Sequence, residues 1–127
     1  MTILSAQATP QTTNSSSWAD IQGLQLSLPA KSTASKTALV ILNVPMPYAT
    51  GNNFPGGNFG IEVNGNVVAS GGFTYNEQQP PSTGRVPVTV VAAVQLGATP
   101  STVEGVWSGV RNSTVHIDSY AALVATF

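Results

Sequence analysis

The sequence has no cysteine and very few charged residues. Among 127 residues, Lys and Arg together number 4 and Asp and Glu number 5, so charged residues make up 7% of the chain, against about a quarter in ordinary globular domains. The absence of cysteine excludes disulfides, thiol chemistry and zinc–thiolate sites. A formal net charge of -1 without a basic cluster excludes the field that nucleic acid or an anionic membrane surface requires. We therefore expect neither of these partners.

Long apolar runs are absent as well. No segment approaches the roughly 18 apolar residues of a membrane-spanning helix. The opening residues, MTILSAQATPQTTNSSSW, have no cationic segment and too short an apolar stretch for a secretory signal. The sequence therefore predicts a soluble protein that does not insert into membranes and is either cytoplasmic or released by a non-classical route.

Ser, Thr, Asn, Gln and Gly take the place of the charged residues, and sustained helical periodicity is missing. Short apolar and β-branched runs lie between Gly, Pro and Asn, which is the pattern of strands and turns. Thr37 to Val44 is nearly all apolar, which predicts a central strand covered on both faces. Asn64-Gly65, between runs at 58–63 and 66–75, predicts a hairpin with a type I′ turn, because both residue types tolerate positive φ.

Further strands follow from the same pattern. They are expected at 2–6, 24–28, 86–96, 102–111 and 114–126. Residues 9–17 and 76–84 are polar and predicted as loops, and Pro45 to Gly57, rich in proline and glycine, is predicted as a long shaped loop. About eight strands without a repeat or linker predict one domain over residues 1–127, an all-β sandwich or jelly roll of two antiparallel sheets.

The aromatic residues and the chain's C-terminal run bear on assembly. Trp18, Trp107, Phe127 and the run AALVATF offer more hydrophobic surface than one small sandwich needs. A symmetric oligomer is therefore expected, although composition does not determine its order.

The sequence gives little support for a catalytic site. His116 is the only histidine, and Asp118 would lie on the same strand face, but the chain has no Gly-x-Ser-x-Gly nucleophile motif. A hydrogen-bonded structural His–Asp pair is the preferred interpretation. The five acids stand singly in the sequence, which argues against the converging carboxylates of a glycosidase or of a calcium-dependent sugar site. These acids are Asp20, Glu62, Glu77, Glu104 and Asp118. We therefore expect no enzyme activity, no cofactor and no metal.

A neutral polar pocket is the remaining possibility. A sugar presents fixed hydroxyls and an apolar ring face, which proteins bind with charged donors, polar partners and an aromatic wall. Gly72 to Arg85 and Val110 to Ser119 contain these residue types, both arginines and the only histidine. Ordinary roles stay open for each candidate: surface salt bridges for the arginines, loop packing for the tyrosines and turn capping for the hydroxyl residues. The candidates are Tyr48, Thr74, Tyr75, Ser82, Thr83, Arg85, Arg111, His116, Asp118 and Ser119.

Four stretches resemble a known family. They are VILNVPMPYATGNNFPG (Val40 to Gly56), GGFTY (Gly71 to Tyr75), STGRVP (Ser82 to Pro87) and VRNSTVHIDSYAAL (Val110 to Leu123). They resemble the N-terminal domain of a bacterial two-domain superlectin, a fucose-binding module with a tumour-necrosis-factor-like (TNF-like) jelly roll assembled as a homotrimer. The similarity runs from about Asp20 to the C-terminus, and PYATGNNFPG and HIDSYA are long enough to be specific.

The resemblance implies a calcium-independent lectin for fucosylated glycans, with three equivalent sites between protomers. Arg85 and Arg111 would be the main donors to the fucose hydroxyls, from neighbouring chains. By position, the family's sugar-contacting set matches Thr74, Tyr75, Ser82, Thr83, Arg85 and Arg111, and its surroundings match Tyr48, His116, Asp118 and Ser119.

Two positions depart from the relative, and two other functions stay open. Asn58 stands where the relative has a tyrosine beside the pocket, and Ser70 replaces an aspartate. These changes remove an aromatic wall and a possible acceptor for a second sugar. A structural trimer with a jelly-roll fold would need neither arginine, and an enzyme would have to use His116 with Asp118.

Overall fold

The structure is a computed structural model that describes residues 1–31, 36–79 and 85–127. This part of the chain is made of strands and turns, and it has no helix that is long and apolar enough to span a membrane. The strands are β1 (Ile3–Ala8), β2 (Gln11–Thr13), β3 (Ala19–Leu28), β4 (Lys36–Val44), β5 (Pro47–Thr50), β6 (Gly56–Val63), β7 (Asn66–Thr74), β8 (Val88–Leu96), β9 (Ser101–Val110), β10 (Thr114–Ile117) and β11 (Ala121–Thr126).

The first sheet has the strand order β1-β11-β4-β8, and all of its pairs are antiparallel. Alternate residues of β4, including Val40 and Leu42, are fully buried, because successive side chains of a strand point to opposite faces. Leu39 on the other face is 44% exposed. Within one chain, the prediction that both faces of Thr37–Val44 are covered is therefore wrong.

The second sheet has the order β3-β9-β6-β7, again antiparallel. Its inner face contributes Phe59, Ile61 and Trp107 to a single core cluster that also includes Leu42 and Leu123 of the first sheet. The all-β fold and its antiparallel sheets are therefore confirmed, and the arrangement is consistent with a jelly-roll sandwich.

The hairpin between β6 and β7 has the predicted turn. Asn64 has a φ of 49° and Gly65 a φ of 87°, so both turn residues adopt the left-handed region that a type I′ turn requires. The turn sets the pairing of Val63 with Asn66, and a bulge between Ile61 and Glu62 shifts the register further along.

A third, small sheet was not predicted. It has the order β2-β10-β5, and two of its strands lie in the predicted loops 9–17 and 45–57. Neither short strand is long enough to show an alternating pattern, and both form because β10 supplies backbone partners on each side. The single strand predicted at 114–126 is also wrong: β10 and β11 belong to different sheets, and the described chain has more strands than the eight expected.

Candidate functional site

The small sheet brings two aromatic side chains together. Tyr48 on β5 is the direct partner of His116 on β10, and side chains of directly opposite residues lie on the same face of an antiparallel pair. Their rings stack with centroids 4.3 Å apart and planes inclined by 6°. The Nε2 atom of His116 lies 3.1 Å from the Oγ1 atom of Thr50, the next residue of β5 on that face. The strand pairing therefore fixes the position of both rings.

Arg85 completes this group, which we call the arginine cluster: Tyr48, Arg85, His116 and Asp118. The Cζ atom of Arg85 lies 3.7 Å from the centroid of the Tyr48 ring. Its Nη1 atom donates a hydrogen bond of 2.6 Å to Oδ2 of Asp118. Because the two charged side chains are 33% and 47% exposed, the ion pair contributes little to stability. Its main effect is to orient the guanidinium group.

The predicted pairing of His116 with Asp118 is wrong. Hydrogen bonds join His116 to Thr50 and Asp118 to Arg85, and Asp118 lies just beyond the end of β10. The pKa of His116 is lowered from its ordinary value of 6.5, chiefly by burial and also by the charge of Arg85, while Asp118 acts in the opposite direction. The neutral form of the imidazole is therefore favoured in the folded protein.

Tyr75 lies beside the arginine cluster. Its backbone N–H donates to the carbonyl of Pro55 at 2.9 Å, and its ring lies 5.4 Å from that of Phe73. Burial raises the pKa of the Tyr75 phenol above 10.0, with a smaller contribution in the same direction from Tyr48. A backbone hydrogen bond with Ala49 and the charge of Arg85 act in the opposite direction. These interactions place the phenol near β5 and near Arg85.

Arg111 forms a separate group in the turn after β9. Arg111 and Asn112 have φ angles of 49° and 60°, which direct the chain sharply into β10. The Nε atom of Arg111 donates to the carbonyl of Asn53 at 2.9 Å, and Nη2 donates to that of Phe54 at 2.7 Å. The guanidinium also lies 6.0 Å from the ring of Phe54. Arg111 therefore fixes the loop that precedes β6.

Ser113 strengthens the same connection from a buried position. Its hydroxyl accepts a hydrogen bond of 3.0 Å from the backbone N–H of Gly56 and donates to the carbonyl of Val110. Since Gly56 begins β6 and Val110 ends β9, this serine joins the start of one strand to the turn after the other.

The structure therefore brings together some of the predicted candidates and leaves others apart. Tyr48, Arg85, His116 and Asp118 are in contact, with Tyr75 next to them. Thr74 is exposed at the end of β7, and Ser119 is half-buried after β10. Ser82 and Thr83 lie in residues 80–84, outside the residues that the structure describes.

Three further residues of the site, Thr50, Asn53 and Phe54, were missed. Asn53 and Phe54 take part through their backbone carbonyls, which leave no signal in the choice of side chain. Thr50 could have been found from its spacing of two from Tyr48, had β5 been recognised as a strand.

The two residues that depart from the relative lie on the outer face of the second sheet. Asn58 and Ser70 alternate with the core-facing residues of β6 and β7, and they pair with Gly72 and Gly60 respectively. Asn58 is half-buried and Ser70 is exposed.

A second polar group contradicts the expectation that the acids stand singly. Carboxylate oxygens of Asp20, Glu62 and Glu104, which we call the carboxylate cluster, lie within 4.8 Å of one another. Glu62 and Glu104 are direct partners of β6 and β9, and Asp20 lies on the adjacent strand β3, next to a register shift. Strand pairing therefore brings together acids that are distant in the sequence.

The carboxylate cluster lies away from the arginines. A hydrogen bond with Asp20 is the main cause that raises the pKa of Glu104 above 4.5, followed by burial and the charges of Asp20 and Glu62. Three such oxygens are close enough to ligate one cation. Glu62 is six residues along β6 from Gly56, about 20 Å at the rise of a strand. A cation held there would not touch a ligand on Arg85 or Arg111.

Comparison with protein families identifies a match. A family model described as the Bc2l-C, N-terminal domain matches residues 8–126. None of the curated proteins matches the chain. The matched range extends from the last residue of β1 to the last residue of β11 and includes all ten candidate residues.

Proposed function

The chain belongs to the family of the Bc2l-C N-terminal domain, a lectin-type and non-enzymatic domain, and from this we propose that it is a homotrimeric lectin that binds fucose and fucosylated glycans without a metal ion. The whole of residues 1–127 would act as one TNF-like domain. The binding of carbohydrate follows from the family. The sugar, the metal independence and the trimer are our proposal.

The observation that carries the proposal is the geometry of Arg85. Its guanidinium group lies against the Tyr48 ring and is hydrogen-bonded to Asp118 through Nη1. An arginine fixed in this way presents its other N–H groups in one direction, and charge-assisted hydrogen bonds from a fixed fork suit neighbouring sugar hydroxyls.

Arg111 supplies a second set of donors. It uses Nε and Nη2 for backbone carbonyls, and within residues 1–31, 36–79 and 85–127 its Nη1 atom has no hydrogen-bond partner. We assign direct sugar contacts to Thr74, Tyr75, Ser82, Thr83, Arg85 and Arg111, and a supporting role to Tyr48, His116, Asp118 and Ser119.

The outer face of the first sheet supports assembly. Along β1, β11, β4 and β8, the side chains on this face are all uncharged. Ile41 lies between Val124 and Val91 in neighbouring strands, and Ile3, Leu39 and Val91 are 61%, 44% and 53% exposed. An uncharged face with several exposed apolar side chains is typical of a protein interface. In the proposed trimer it forms the central contact, and each sugar lies between Arg85 of one protomer and Arg111 of the next.

The charges near Arg85 support the proposed metal independence. Asp118 is the acid of the arginine cluster, and it is already paired with a cation. A calcium site needs several oxygen ligands, and the carboxylate cluster that offers them includes Glu62, about 20 Å along β6 from Gly56. The sugar hydroxyls would therefore meet arginine donors and not a bound ion.

The test is calorimetric titration of the purified protein with methyl α-fucoside in the presence of a chelator, with methyl mannoside and methyl galactoside as controls. Light scattering after size exclusion gives the oligomeric state of the same sample. We expect saturable binding of fucoside by a trimer at one site per chain. A trimer that gives no heat with any of the three sugars would instead support a structural role for the jelly roll.

A further inference from the structure

The Tyr48 ring has a different group on each of its faces. His116 stacks parallel to it at 4.3 Å, and the Cζ atom of Arg85 lies 3.7 Å from its centroid. Two planar groups at these distances would overlap if they occupied the same face of the ring. The three side chains therefore form a stack in which Tyr48 lies between the imidazole and the guanidinium.

This stack and the ion pair with Asp118 hold the Arg85 side chain. Arg85 lies in an irregular segment before β8, so no strand pairing fixes its backbone. Its side chain contacts Tyr48 and Asp118. Tyr48 in turn belongs to a strand of four residues and is half-buried, with His116 covering one face of its ring. The orientation of Arg85 therefore depends on His116, although the two residues do not touch through a hydrogen bond.

We propose that His116 is a positioning residue that supports Tyr48 as a neutral imidazole and thereby holds Arg85 in place for the sugar, so that protonation of the imidazole in mildly acidic solution weakens sugar binding. This inference rests on the proposed lectin function. It adds a response to pH that composition and family membership do not imply.

The charges around His116 give the physical reason. The titratable groups facing it are Tyr48 from β5, Asp118 from beyond β10 and Arg85 from the segment before β8. Tyr75 is close enough to Tyr48 and Arg85 to be influenced by both. The residues of β2 opposite β10 are uncharged. A protonated imidazole would attract Asp118, the acid that holds Arg85 at 2.6 Å, and would repel Arg85. Both effects loosen the guanidinium.

The direction of the pKa shift agrees with this reasoning. Burial is the main cause that lowers the pKa of His116 from 6.5, and the charge of Arg85 adds to it. A lowered pKa means that the neutral form is favoured in the folded protein. The stabilising contribution of the neutral ring is therefore present above pH 6.5 and is lost as the pH falls through the lower value of the folded state.

Two substitutions separate positioning from packing. His116→Phe keeps a flat ring against Tyr48 but cannot be protonated, whereas His116→Ala removes the ring. Between about pH 7.5 and about pH 5, we expect the affinity of the unmodified protein for methyl α-fucoside to fall roughly five- to tenfold. His116→Ala should bind weakly at both pH values. His116→Phe should recover most of the lost affinity and show no decline with pH.

A second readout needs no sugar. The chain has two arginines, so NMR spectra of the side-chain Nε–H groups give one signal for Arg85 and one for Arg111 in each protomer. We expect the Arg85 signal to shift and broaden as His116 is protonated, while the Arg111 signal stays unchanged. In His116→Phe neither signal should respond to pH.

The outcomes distinguish the two proposals. If the unmodified protein binds fucoside with equal affinity at both pH values, the positioning role is wrong and the lectin proposal stands. The same holds if the fucoside affinity of His116→Phe falls with pH as much as that of the unmodified protein. If no fucoside binds at any pH while the Arg85 signal still follows His116, the lectin proposal is wrong, whereas the positioning of Arg85 by His116 stands. A purely structural His116 would change the melting temperature of His116→Ala without moving Arg85.

Discussion

The arginine cluster and the carboxylate cluster show two ways of bringing charged groups together. Arg85 is paired with Asp118 and lies against an aromatic ring, so each charge has a partner. Asp20, Glu62 and Glu104 share one sign, and the pKa of Glu104 is raised as a result. The first arrangement fixes donors in one orientation at neutral pH. In the second arrangement, protons or a cation relieve the repulsion among the carboxylates. Closely spaced acids therefore favour cations and do not by themselves indicate where a neutral sugar binds.

The two clusters also respond to acid in opposite directions. Acidification charges His116, whose folded-state pKa is lowered, so its contribution to stability is lost as the pH falls. Glu104 has a raised pKa, so its contribution is fully present below 4.5 and is lost as the pH rises through the folded-state value. Mild acid should therefore loosen the arginine cluster on the small sheet and tighten the carboxylate cluster on the second sheet.

The largest expected effect separates the clusters by function. Arg85→Ala should weaken fucoside binding about a hundredfold, because two charge-assisted hydrogen bonds are lost, and should leave the trimer intact. Titration calorimetry and light scattering give the two quantities. Lys36→Ala, which removes a cation at the start of β4, is the matched control and should bind normally. Unchanged affinity in Arg85→Ala would remove the distinction between the clusters.

The aromatic part of the arginine cluster should give the next largest effect. Tyr48→Leu removes the ring against which Arg85 lies at 3.7 Å, and we expect a loss of about tenfold in fucoside affinity. Tyr48→Phe keeps the ring and should lose much less. The comparison would be contradicted if the two variants bound equally weakly, because the hydroxyl and not the ring face would then be responsible.

Stability should distinguish the carboxylate cluster. Glu104→Gln removes repulsion from Glu62, its direct partner across β6 and β9, and should stabilise the protein at neutral pH by about 0.5 kcal/mol. The gain should shrink as the pH falls towards 4.5, where Glu104 is protonated. Thermal unfolding of Glu104→Gln and of the unmodified protein, between neutral pH and about pH 4.5, measures this gain in stability. Glu77→Gln, at an exposed position, is the control and should show no such trend, and fucoside affinity should be the same in both variants.

The smallest expected effect is that of metal removal. Fucoside affinity should not change between chelator and added calcium, since the arginine cluster has one acid and that acid is paired. Calcium bound at Asp20, Glu62 and Glu104 would instead raise the melting temperature without altering affinity. A calcium-dependent affinity for fucoside would show that the sugar site uses a metal and would overturn the separation of the two clusters.

The parts of the fold that were predicted correctly depend on local sequence. Asn64-Gly65 determines its own turn geometry, and the alternation of Leu24, Leu26 and Leu28 was sufficient to identify a half-buried strand. The small sheet was missed because β2 and β5 exist only through pairing with the distant strand β10. Strand register likewise brings Glu62 opposite Glu104, and the spacing of the two residues in the sequence does not predict this pairing.

The candidate site shows the same limit. The residue types and the family resemblance named Arg85, Asp118 and His116, but the partners assigned from sequence spacing were wrong, because i and i+2 positions meet only while the strand continues. β10 ends at Ile117, so Asp118 leaves the strand face and reaches Arg85. Side-chain identity therefore selected the candidate residues, and tertiary structure decided which of them pair.

The hydrogen bonds of Arg111 to the carbonyls of Asn53 and Phe54 have a consequence for the entropy of binding. An unrestrained arginine loses about 0.5–1.5 kcal/mol of rotational freedom when a ligand immobilises it. Here most of that freedom is already lost when the chain folds, since the turn at Arg111 and the loop before β6 restrain each other. A monosaccharide makes few contacts, and a preorganised donor lets more of their energy appear as affinity.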